Sequence, residues 1–92
     1  MTDGWTFFTN HAHVMFAIAR DPDVRVRDLA VLVGITERAA QRIVSELVRD
    51  GYLVAERVGR RNHYRVVGEL ALRHPLEAHR DVAALMTWLG GT

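Results

Sequence analysis

Four arginines, Arg57, Arg60, Arg61 and Arg65, fall within nine consecutive residues that contain no acid. Earlier in the chain, Arg38, Gln41, Arg42 and Ser45 stand at i, i+3, i+4 and i+7, the spacing that brings side chains to one face of a helix. Such residues offer hydrogen bonding to planar, electron-rich partners. An arginine fork pairs bidentately with a phosphate or a guanine edge, and a glutamine amide pairs with adenine. The formal net charge is only +1, but it is unevenly distributed. Residues 1–35 carry −1, residues 36–65 carry +3 and residues 66–92 carry −1. A basic middle of this kind is the footprint that phosphate binding requires. A solvated helix face is the plain alternative for Arg38, Gln41 and Arg42. For Arg49 and Arg57, pairing with Glu46, Asp50 or Glu56 is an equal alternative to phosphate contact, and Arg25 and Arg27 have Asp23 and Asp28 close by.

Other chemistries find little support. The chain has no cysteine, which excludes disulfides, thiolate metal sites and cysteine nucleophiles. His11 and His13 are two residues apart and point to different sides of a helix, while Pro75 separates His74 from His79. No nucleophile elbow, HExxH motif or phosphate loop is present. The expectation is a protein that is no enzyme and carries no metal and no cofactor. The longest apolar run, Val14 to Ala19, is too short to span a membrane and lacks the flanks of a secretory leader, so a cytoplasmic protein without membrane partners is expected.

The elements that must position the polar face can be read in order. Ninety-two residues, 49% of them hydrophobic and 25% charged, suit one globular domain covering residues 1–92. Thr9 or Asn10 caps a first helix over about 11–20, stopped by Asp21-Pro22. This helix is apolar nearly all round, which implies a partner surface beyond one small core. Val24–Val26 reads as a short strand, and 27–33 as a second helix ended by Gly34. Thr36 caps a third helix whose Ala40, Ile43, Val44 and Leu47 form one buried stripe, turning the polar face outward. Strands over 52–58 and 63–67 flank a turn at 59–62, giving a hairpin with a basic tip. A last helix over about 76–89 has an apolar stripe of Val82, Leu85, Met86 and Leu89.

The segment LAVLVGITERAAQRIVSELVRDGYL (Leu29 to Leu53), followed by the hairpin VGRRNHYRV (Val58 to Val66), closely resembles the MarR-like and ArsR-like bacterial regulators. The resemblance covers about residues 10–67. It implies an α+β, mostly α, winged helix-turn-helix fold, with a three-helix core, a β-hairpin wing and a C-terminal dimerisation helix. It also implies a transcriptional regulator that binds double-stranded DNA, with 36–49 as the recognition helix in the major groove and 58–66 as the wing on the backbone or in the minor groove. On that reading Arg38, Gln41 and Arg42 reach base edges, and Thr36 and Ser45 touch phosphates. Arg60 and Arg61 at the wing tip lie along the backbone or enter the adjacent minor groove, and Asn62 either joins them or shapes the turn.

Residues 10–67 thus form the expected DNA-binding core, and 1–9 and 76–89 the expected dimerisation segments. Trp5, Phe8, Met15, Val82, Leu85, Met86, Trp88 and Leu89 are the candidate interface, since the family builds its dimer from the first and last helices and these segments carry surplus apolar surface. The expected partners are a second copy of the chain and a pseudo-palindromic operator with half-sites about 10 bp apart. Two other readings keep the fold: a ligand- or metal-responsive sensor whose small molecule sits between the terminal helices, and a winged-helix module that binds protein.

Overall fold

A computed structural model describes residues 4–90. The expected segment 1–9 is therefore described only from Gly4. Helix α1 (Asn10–Arg20) starts where Thr9 turns extended and its hydroxyl accepts the Ala12 amide at 3.3 Å. It stops at Asp21, whose extended conformation satisfies the restriction imposed by Pro22. Val14, Met15 and Ile18 are buried; Phe16 is only half-buried and carries the Arg20 guanidinium 5.7 Å from its ring centre. Part of the helix's apolar surplus is thus covered locally.

The short strand expected at Val24–Val26 does not form. The Asp21 carboxylate accepts the Asp23 amide at 3.1 Å and the Asp21 carbonyl accepts the Val24 amide at 3.1 Å, so the chain turns at Asp21–Val24. Helix α2 (Val26–Val33) follows, one residue earlier than expected. One backbone bond ties this turn to the hairpin as a lone rung of a ladder, from the Tyr64 amide to the Pro22 carbonyl at 2.9 Å. Proline has no N–H with which to continue that ladder.

Gly34 ends α2 in the left-handed region, with φ 85° and ψ 34°, where a side chain would be strained. Thr36 then caps helix α3 (Glu37–Arg49), its hydroxyl accepting the Ala39 amide at 3.0 Å. Ala40, Ile43, Val44 and Leu47 are buried, as their spacing predicts.

Strands β1 (Leu53–Val58) and β2 (Arg61–Val66) pair antiparallel, with Leu53 opposite Val66 and Val58 opposite Arg61. The turn is two residues long, Gly59-Arg60, not the four expected. Gly59 has φ 63° and Arg60 has no positive φ, the pattern of a type II′ turn, whose twist suits a hairpin. Arg61 and Asn62 therefore belong to the strand.

The last helix, α4 (Val82–Gly90), begins six residues later than expected. Leu72 donates to the Arg80 carbonyl at 2.9 Å, Ala71 bridges to Asp81, and the Ala84 amide is taken by the Asp81 carboxylate at 2.8 Å. A helix through Arg80 would need that carbonyl and that amide for each other. His74-Pro75 starts a series of turns instead, closed by the Glu77 amide on the His74 carbonyl.

Side chains from every element meet in one core that includes Val14, Ile18, Leu29, Ile43, Leu53, Tyr64 and Val82. Three helices, a hairpin leaving the third of them, and a closing helix make a winged helix, mostly α with a small β component. Among the described residues no helix is long and apolar enough to cross a membrane.

Candidate nucleic-acid interface

The stripe that buries α3 leaves its opposite face in solvent. Arg38, Gln41, Arg42 and Ser45 are all exposed there. Gln41 donates to Ser45 Oγ at 3.3 Å, and Arg42 Nη1 donates to Glu46 Oε2 at 3.5 Å, so the face is laced along its length by single-turn contacts. Thr36 is exposed as well; its oxygen is engaged as the helix cap, and its O–H is left to donate.

The hairpin stands beside α3, joined to it through Asp50–Tyr52. Arg60 occupies the tip of the turn and is exposed. Arg61, expected at that tip, opens β2 and donates Nη2 to the Asp23 carbonyl at 3.0 Å. Alternation along the strand sends the side chains of Arg61 and Asn62 to opposite faces. Arg57 closes over the turn, Nε donating to the Gly59 carbonyl at 3.1 Å. The cationic tip is thus one fully projecting arginine, with Arg61 drawn back toward the loop before α2.

Several residues that hold this surface carry no sequence signal. His11 Nε2 lies 2.8 Å from Glu46 Oε1, joining α1 to α3. His63 Nδ1 lies 2.7 Å from Asp23 Oδ1, fastening the hairpin to the same loop that receives Arg61. The His11 hydrogen bond holds the Glu46 carboxyl below its ordinary range; partial desolvation opposes this, and the charges of Arg42, His11 and Arg49 reinforce it. At the end of α3, Asp50 takes two bonds from Arg49 and one from Arg73, all at 3.2 Å. The Arg49 hydrogen bond first, then against desolvation the charges of Arg49 and Arg73, lower the Asp50 pKa, and the Arg49 pKa rises through the same bond. Arg49 is therefore engaged with acid, the alternative that the sequence left open.

The candidate dimer residues divide into two groups. Met15 and Val82 are 5% and 3% exposed within this chain's own core, and so have no surface to offer a second copy. The stripe periodicity that selected Val82 is the same whether a helix packs inside or outside the protomer, which is why sequence placed it with the others. Trp5 and Trp88 are exposed, and Phe8, Leu85, Met86 and Leu89 are half-buried. Phe8 reaches Trp88 with ring centres 6.2 Å apart, so the two ends of the described chain come together on one side. That side also holds a cavity of about 660 Å³ whose lining includes Phe8, His11, Met15, Leu72, Arg73 and Met86. Among the described residues, no three His, Cys, Asp or Glu side chains converge to hold a metal.

Comparison with solved structures finds a likeness to the crystal structure of the AntR antimony-specific transcriptional repressor. Identity is 29% and the TM-score 0.56, over 86% of this chain and 60% of that one. The chain thus spans less than two thirds of that protein's length. No curated protein matches it. Residues 8–62 match the MarR family, a stretch that takes in the cap of α1, the helix-turn-helix, β1 and the start of β2. Because the matched stretch is more than half of the sequence and includes the whole exposed face of α3 with the hairpin turn, the chain belongs to the MarR family.

Proposed function

We propose that this chain is a sequence-specific transcriptional regulator that binds double-stranded DNA as a homodimer and is no enzyme. The carrying observation is the outer face of α3, where Arg38, Gln41, Arg42 and Ser45 all stand in solvent beside the arginine-tipped hairpin. A helix about 10–12 Å across fits the major groove and brings three or four side chains to base edges. Arg38, Gln41 and Arg42 read bases, Thr36 and Ser45 touch phosphates, and Arg60 follows the backbone or enters the adjacent minor groove. Arg61 and Asn62 join from the first residues of β2. The structurally similar protein is a transcriptional repressor, which supports the regulatory reading. The antimony in its name has no thiolate to bind in this chain, which lacks cysteine.

The DNA-binding unit is about residues 10–67. The dimer forms through Trp5, Phe8, Leu85, Met86, Trp88 and Leu89, and its two-fold axis matches a pseudo-palindromic operator with half-sites about 10 bp apart. Such a protein works in the cytoplasm, on the nucleoid.

Selection of bound duplexes from a random pool tests the assignment. Arg38→Ala and Arg42→Ala each relax base preference at one position of the half-site, by about 1–3 kcal/mol, while an Arg60→Ala/Arg61→Ala double variant weakens binding to all sequences alike. Identical behaviour of the three would sink the division of roles.

The cavity beside Phe8 and Met86 favours a second reading, a small-molecule-responsive sensor of the same fold. A ligand present at 100 times its dissociation constant adds about 2.7 kcal/mol to stability. A thermal-shift screen of aromatic acids should then raise the Tm; a flat screen favours a constitutive regulator.

A further inference from the structure

Glu46 is out of place on a helix that enters a DNA groove. It stands one turn after Arg42 on α3, where a carboxylate repels phosphates. The hydrogen bond from His11 keeps it ionised below the ordinary carboxylate range, so the charge is not relieved by protonation. The geometry gives that charge another use. Each carboxylate oxygen has its own partner: Oε1 meets His11 Nε2 at 2.8 Å, and Oε2 accepts from Arg42 Nη1 at 3.5 Å. An ionised carboxylate only accepts, so the His11 nitrogen facing it carries the proton.

The Arg42 contact alone would be loose. It sits at the limit of hydrogen-bond length, Arg42 is largely exposed, and arginine preceding glutamate by four residues is the weaker order for such a pair. The His11 contact is short and comes from a different helix, thirty-five residues away in sequence. It holds one carboxylate oxygen in place and leaves the other for Arg42. A guanidinium that must meet a guanine edge bidentately needs one direction out of many rotamers, and a fixed acceptor behind it selects that direction.

We propose that Glu46, clasped by His11, is a positioning residue for Arg42, aligning its guanidinium toward a base edge while touching no base itself. The inference rests on the reading of α3 as the base-reading helix. His11 thereby joins the specificity of the site although it stands on α1.

The test measures anisotropy of the full chain on its selected duplex and on duplexes changed one base pair at a time, with circular dichroism confirming that each variant folds. Arg42→Ala marks the position that Arg42 reads. At that position Glu46→Ala and His11→Ala lower the preference about three- to tenfold, the size of coupling expected between contacting groups. His11→Gln keeps the wild-type preference, because its amide still donates to Glu46. With Arg42→Ala already present, Glu46→Ala changes nothing further. Wild-type preference in both alanine variants would overturn the positioning role alone, leaving Arg42 as a reader. A Glu46→Ala effect that persists without Arg42 would overturn it too, marking Glu46 as a direct reader of a cytosine amino group. Arg42→Ala with every preference intact would overturn the base-reading role of Arg42 and the positioning with it.

Discussion

Affinity for a duplex carrying the selected site falls about 10³- to 10⁵-fold between roughly 50 and 200 mM salt, if the dimer touches some 6–10 phosphates. The cause is counterion release, which scales with the number of phosphates neutralised and not with the bases read. Seven of the twelve arginines lie between residues 36 and 65, the stretch that includes α3 and most of the hairpin. Not all of them are available. Arg49 is engaged with Asp50, Arg42 leans on Glu46, and Arg61 has one nitrogen on the Asp23 carbonyl. The salt slope should therefore lose roughly one unit for each phosphate contact removed by substitution, with Arg60→Ala contributing most within the hairpin. Anisotropy titrations at four or five salt concentrations give the slope directly. A winged helix that uses this face to hold another protein would show little salt dependence, and a flat line would decide for that reading.

The parts of this fold that a sequence reveals are those governed by short-range rules. Ala40, Ile43, Val44 and Leu47 announce the buried side of α3 because helical periodicity needs only two neighbouring turns to be read. Thr9 and Thr36 announce two helix starts because a cap acts on an amide three residues away. The order helix, glycine turn, helix, hairpin follows from the same local signals. Where the structure departs from the local pattern, a competing hydrogen bond or a packing partner decides. The start of α4 is set by Ala71 and Leu72 pairing back to Arg80 and Asp81, which pre-empts the first turn that residues 76–81 would otherwise make. Val24–Val26 has strand-forming residues, but the Asp21 side chain and carbonyl close a turn first. Met15 and Val82 have the apolar character of interface residues and lie in the core, a choice made by the packing of α4 on α1. At the candidate site, the exposed face of α3 was legible and its supports were not. His11 with Glu46, and His63 with Asp23, are pairs separated by 35 and 40 residues, and no spacing rule joins them.

The helix before α3 provides a sharp stability contrast. Leu29 and Val31 lie two residues apart on the eight-residue α2, yet Leu29 is 1% exposed and Val31 is 77% exposed. Leu29 sits in the core that also holds Ile43 and Val44 of α3, so its side chain helps set the packing that aims the outer face of α3. Leu29→Ala removes buried methyl groups and leaves a cavity that helices fixed by the Gly34 turn close only in part, which costs about 2–5 kcal/mol. Against a total of about 5–15 kcal/mol for a domain of this size, that loss lowers the Tm by at least about 8 °C. Val31→Ala shortens a side chain already in water and shifts stability by no more than about 0.5 kcal/mol. Urea denaturation of the two variants, with unchanged slopes, measures the difference. DNA affinity corrected for the folded fraction tells a second thing: if Leu29 acts only through stability, the corrected value stays at wild type, whereas a tilt of α3 reduces it for the selected site more than for random DNA. Equal stabilities for the two variants would mean that α2 does not pack on α3 through Leu29, and the helix-turn-helix geometry would fail with it.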